Sequence, residues 1–111
     1  MDHVKKFQDF TLCACDLTGF RSTHILRRHR AGAGLPGKTE FPRTWDDAKI
    51  LIAVSDVATD PGSIRGIGKY NIPYAIGTRE GVIIRVDFYP LNHPEYAGYI
   101  STAYPTNTTP N

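Results

Sequence analysis

Cysteine is almost missing from the 111 residues: Cys13 and Cys15 are the only two, and they stand two positions apart. Such neighbours rarely pair, because a disulfide needs Cα atoms about 4.4–6.8 Å apart with opposed Cβ vectors. A disulfide scaffold is excluded, and the plain reading is two small buried hydrophobes in a reducing compartment. No further ligand stands at zinc spacing from them. No apolar run approaches the ~18 residues of a transmembrane helix. The opening Met1-Asp2-His3-Val4-Lys5-Lys6 has no apolar stretch of the signal-peptide kind, so this segment is not expected to carry the chain out of a cell. Nor is polarity in excess: 41% hydrophobic and 22% charged residues are ordinary globular values, which excludes disorder and low complexity. What is left is one domain with one modest core.

The net charge of +2 conceals an uneven distribution. Residues 21–43 hold Arg21, Arg27, Arg28, Arg30, Lys38 and Arg43 against Glu40 alone, a local +5, while the segments on either side are net acidic. His24 and His29 lie inside this stretch. A concentrated basic patch suits a polyanion, since phosphate contacts release counterions; a solvated basic loop is the plain alternative.

Periodicity predicts an α+β fold. A helix is expected from about Trp45 to Thr59, opened by a capping pair of Thr44 and Asp47, with Asp46 and Asp47 suiting the helix dipole. Ile50, Leu51, Val54, Val57 and Ala58 form its apolar stripe, and Asp60-Pro61-Gly62 ends it. Beyond it the period becomes two. Tyr74–Thr78 and Val82–Tyr89 read as strands joined by Arg79-Glu80-Gly81, and Tyr96–Tyr104 as a third, giving an antiparallel meander packed on the helix. Val82, Ile84, Val86 and Phe88 share the inner face, and Arg85 projects from the other. Upstream, residues 2–10 read as a short helix and 10–15 as a strand or its continuation. His24–Arg30 reads as one or two helical turns, and 31–43 as a loop with three glycines and two prolines.

Two histidines within six residues, among arginines and before a glycine-rich loop, match acid–base chemistry on a phosphodiester. Imidazole titrates near neutrality, so one ring can take a proton while a second donates. In RNA the 2′-hydroxyl is an internal nucleophile, and Lys38 could steady the growing negative charge. No third ligand completes a metal set around the two histidines. Gly32-x-Gly34…Gly37-Lys38-Thr39 does not have P-loop spacing, but its glycines allow close approach of a ligand to backbone. Thr102 and Tyr104, two apart on a strand, share a face and form a hydroxyl–aromatic pair suited to a nucleoside.

Several segments together resemble the bacterial branch of the EndoU ribonucleases. They are His24-Ile25-Leu26 with His29, Gly37-Lys38-Thr39-Glu40-Phe41-Pro42, Trp45-x-Asp47, Ser55-Asp56-Val57-Ala58, Gly77-Thr78-Arg79-x-Gly81-Val82, Ile84-Arg85-Val86 and Thr102-Ala103-Tyr104-Pro105. The resemblance spans about residues 22–107 of a single 1–111 domain and leaves 1–20 as an N-terminal extension. It implies a metal-independent, cofactor-free endoribonuclease with a His-His-Lys triad that leaves 2′,3′-cyclic phosphate ends. His24 matches the first family histidine through the adjoining Ile25, His29 is taken as the second, and Thr102 and Tyr104 match the pair that lies against the substrate. Lys38 is favoured as the triad cation, with Lys69, Arg79 and Arg85 competing for that role. Arg27, Arg28, Arg30, Arg79, Arg85 and Ser101 are the expected substrate-binding residues.

The same resemblance implies a toxin domain forming the C-terminal part of a larger secreted protein. It would act as a monomer on cellular RNA, tRNA foremost, in the cytoplasm of a target cell, without membrane association. A cognate immunity protein, acidic to match the +5 segment, is the expected protein partner. The rival reading is a non-catalytic RNA-binding or interaction module that keeps the basic loop; a metal-dependent phosphodiesterase is a third.

Overall fold

The computed structural model describes residues 20–111. The short helix and strand expected within residues 2–15, and both cysteines, lie outside the described residues. Helix α1 (Phe20–His29) and helix α2 (Asp47–Thr59) precede four strands: β1 (Ile64–Ile67), β2 (Pro73–Arg79), β3 (Val82–Phe88) and β4 (Ile100–Pro105). The strands form one antiparallel sheet in the order β1-β2-β3-β4. The fold is α+β, as the change of period predicts.

Helix α2 starts two residues later than expected, and Asp46 rather than Thr44 caps it. The Lys49 amide donates to the Asp46 carboxylate at 2.8 Å. Trp45 is withheld from the helix because it is buried and stacked on Phe41, with ring centroids 5.7 Å apart and its amide turned back to the Pro42 carbonyl. The first carboxylate after that turn becomes the cap. Ile50, Val54, Val57 and Ala58 of α2 are fully buried against Ala75, Ile84 and Val86 of the sheet. Gly77 permits this approach: a Cβ there would stand 3.2 Å from Val57 Cγ2. Ile25 of α1 joins the same core, and α1 packs across β4.

Inner-facing Val82, Ile84, Val86 and Phe88 are buried while Arg85 and Asp87 are half-buried on the opposite face, as the alternation predicts. The β2–β3 hairpin pairs Arg79 with Val82, so its loop is Glu80-Gly81, both at positive φ (49° and 80°). That combination suits the two-residue turns favoured by strand twist.

Two further expectations need correction. β4 begins at Ile100, because residues 96–99 form a turn in which the Tyr99 amide donates to the Tyr96 carbonyl at 2.8 Å and Gly98 takes φ 80°. The rings of Tyr89, His93 and Tyr96 pack at 4.9–5.5 Å and fold the connection back on itself. A register shift at Asp87/Phe88 then leaves Ser101 as the extra residue of a bulge. The sheet also has a fourth strand, β1, at its edge. Ile64, Arg65 and Ile67 are exposed there, so this short strand has no buried alternating face to betray it.

Candidate active site

The site is built from the end of α1, the glycine loop and β4. Basic Arg27, Arg28 and His29 occupy the last turn of α1, where the negative end of the helix dipole favours cations. His29 is nonetheless 5% exposed, pinned under the loop that follows. Its carbonyl accepts from the Phe41 amide at 2.6 Å, and its Nδ1 lies 2.7 Å from the Thr39 carbonyl oxygen. A carbonyl can only accept, so Nδ1 carries the hydrogen and the neutral ring keeps its lone pair on Nε2. Burial, with Lys38 and Arg28 nearby, holds His29 below the ordinary histidine value; the Thr39 carbonyl and Glu40 pull the other way. At neutral pH this ring is an unprotonated base.

The loop that does the pinning is ordered by its own polar groups. Gly32, Gly34 and Gly37 all take positive φ, and the first two donate their amides to the Glu40 carboxylate at 3.0 and 2.7 Å. These bonds, with a third from Asn111, keep the Glu40 carboxyl below its usual range, so the clamp stays charged at neutral pH. Asn111 pairs with the loop from the far end of the chain: its carbonyl accepts from the Gly37 amide and its amide donates to the Lys38 carbonyl, each at 2.9 Å. Its side chain donates to the Leu35 carbonyl and to Glu40. Thr39 Oγ1 donates to the Pro105 carbonyl at 2.6 Å and joins the loop to β4.

Together these elements wall a cleft of about 310 Å³ lined by His24, Arg28, His29, Gly37, Lys38, Thr39, Thr102 and Tyr104. The five expected catalytic residues, spread over 81 positions from His24 to Tyr104, therefore face one space. The Tyr104 ring lies 5.5 Å from the His29 ring, and its phenol is held above the ordinary tyrosine value by burial and by Asp87. It is neutral at any physiological pH. Such a cleft offers an imidazole base, a second imidazole, an ammonium and an aromatic face.

The structure separates the expected substrate-binding residues. Arg28 lines the cleft; Arg27 and Arg30 line a neighbouring hollow, where Arg30 is ion-paired with Asp47 at 3.0 Å. Arg79 is not brought to the cleft: it is bonded to Asp60 at 2.9 Å beside the β2–β3 hairpin. Ser101, the bulge residue, does not line the cleft either. Lys69 and Arg85 line a second groove that shares Tyr104 with the cleft. Of the four cations competing for the triad, Lys38 alone lines the same cleft as both histidines. Sequence reading misses Thr39, Glu40 and Asn111. The glycines before Glu40 hint at a clamp, whereas no local signal marks Asn111, whose partners are more than 70 residues away.

Among the described residues, no group of three or more His, Cys, Asp or Glu could hold a metal ion. No described helix is long and apolar enough to cross a membrane. No curated protein and no solved structure matches the chain. The family model described as bacterial EndoU nuclease matches residues 18–107, a span that contains both histidines, the glycine loop, α2 and the whole sheet. The chain belongs to the bacterial EndoU nuclease family.

Proposed function

We propose that the protein is an endoribonuclease that cuts RNA without a metal, and that the cleft around His24, His29 and Lys38 is where it does so. The supporting observation is the convergence of these three residues with Thr102 and Tyr104 on one space. His29 takes the 2′-hydroxyl proton on Nε2 as the 2′-oxygen bonds to phosphorus. The P–O5′ bond breaks, and His24 delivers a proton to the departing 5′-oxygen. The products are a 2′,3′-cyclic phosphate and a 5′-hydroxyl, so atoms and charge balance without a co-reactant. Lys38 offsets the charge on the non-bridging oxygens, Thr102 offers a hydroxyl, and Tyr104 stacks on a base.

The domain works as a monomeric toxin, the C-terminal part of a larger delivered protein, against tRNA in the target-cell cytoplasm. An acidic immunity protein covers the +5 segment 21–43, where opposite charge speeds association. Cleavage of purified tRNA with and without EDTA tests the chemistry. Unchanged cleavage, with 3′ ends that resist phosphatase until the cyclic phosphate is opened by acid, is the expected result. Loss of cleavage in EDTA would overturn it, and RNA binding without cleavage under any divalent condition would favour a binding module.

Arg28 lines the cleft and Arg27 flanks it. Replacing both with Gln is expected to weaken RNA binding and to flatten the dependence of log K on log salt by about one to two. An unchanged salt slope in a titration series would show that neither side chain meets phosphate.

A further inference from the structure

We propose that the groove beyond Tyr104 is a second nucleotide subsite, which holds a single-stranded ribonucleotide next to the one being cut. The inference rests on the endoribonuclease reading for its ligand class. Its own support is the build of the groove, about 520 Å³, whose wall includes Lys69, Tyr70, Tyr74, Arg85, Asp87 and Tyr104. Tyr104 also lines the catalytic cleft, so a strand leaving that cleft over this ring enters the groove directly.

Tyr70 is the unusual member. Tyr70 is 85% exposed, and the sheet gains almost nothing from burying it. Yet Tyr70 and Asn71 both sit at left-handed φ, 60° and 59°, a strained conformation for a bulky residue such as Tyr70. The conformation is enforced by a closed turn in which the Gly68 amide donates to the Ile72 carbonyl at 2.8 Å and the Ile72 amide to the Lys69 carbonyl at 3.2 Å. An aromatic ring held out on a rigid, strained turn is a stacking platform, and stacking serves every base.

The groove floor is equally fixed. Arg85 lies 4.4 Å over the Tyr74 ring and donates from Nε to Asp87 at 2.9 Å. A Cβ at Gly68 would come within 3.1 Å of an Arg85 terminal nitrogen, so a larger residue there would press the guanidinium aside by a few tenths of an ångström. Arg85 and Asp87 thus present donors and a carboxylate acceptor side by side, the complement of a base edge. Lys69, exposed at the rim, adds a cation for the phosphate. Donor, acceptor, cation and ring together match one nucleotide.

The test compares a dinucleotide with a tetranucleotide. With RNA substrates, the tetramer-to-dimer ratio of kcat/KM is expected to fall about 10-fold in Tyr70→Ala and to recover in Tyr70→Phe. The same comparison is made by fluorescence anisotropy with 2′-O-methyl oligonucleotides, which cannot be cut. Tyr70→Ala is expected to lose about 10-fold in tetramer affinity relative to dimer, and Tyr70→Phe to retain it. An unchanged ratio in both formats, or equal loss on dimer and tetramer, overturns the subsite. Absence of cleavage by the wild-type protein with the binding ratios as expected overturns the nuclease chemistry and leaves the subsite standing.

Discussion

Replacing His29 with Ala is expected to lower RNA cleavage by about 10²–10⁴-fold, the usual worth of a positioned general base or acid, and His24→Ala to do the same. Affinity for RNA should change far less, since Arg27, Arg28 and Lys38 remain. Single-turnover rates set beside binding constants check both halves, and near-full activity in either variant removes that histidine from the reaction. The pH profile identifies the base. Because the fold holds His29 below its ordinary value of 6.5, the acidic limb of kcat/KM should lie below that value. Stability carries the same signature. The unfolded chain takes up the proton more readily than the folded one, so this contribution is complete above about 6.5 and is lost as pH falls through the folded-state value. Chemical unfolding of wild type and His29→Ala between pH 7.5 and 5 should show a steeper slope in the first than in the second.

Phe41→Ala is expected to cause a large loss of stability. Phe41 is 1% exposed, stacked on Trp45, and its amide holds the His29 carbonyl. Emptying such a site costs about 3–5 kcal/mol, against a typical total of about 5–15 kcal/mol for a domain. The midpoint of thermal unfolding should fall by about 15 °C or more. Leu35→Ala, at a 39% exposed position in the same loop, should stay within about 0.5 kcal/mol of wild type. A small effect at Phe41 would show that the loop is not anchored through this ring. Cleavage by the folded fraction should fall as well, because the segment that fixes Nδ1 of His29 runs directly into Phe41.

Helix α2 and the β2–β3 hairpin were legible because their signals are local. Each has a buried face that repeats every three to four residues or every two, and a turn that only certain residues make. Strand β1 was not, since an edge strand with Ile64 and Ile67 facing solvent carries no such repeat. Thr44 reads as the cap because the pattern alone does not reveal that Trp45 is drawn into the core and leaves the capping to Asp46. For the site, residue types and the family resemblance pointed to His24, His29, Lys38, Thr102 and Tyr104, and the cleft brings them to one wall-to-wall space. The arginines were less legible. Arg79 and Arg30 look like their neighbours in sequence, and what separates them is a carboxylate supplied from elsewhere, Asp60 and Asp47. Such tertiary partners leave no trace in spacing.

The pairing of Asn111 with Gly37 and Lys38 bears on the order of events during synthesis. A domain emerges from the ribosome N-terminal end first, and α1, the glycine loop and α2 are available early. The cleft is not. Its opposite wall, Thr102 and Tyr104, lies on the last strand, and the loop that carries Lys38 gains its final four bonds only from residue 111. A growing chain can therefore hold both histidines and the whole basic segment before the cleft has its opposite wall, and the loop is fully bonded only once residue 111 is in place.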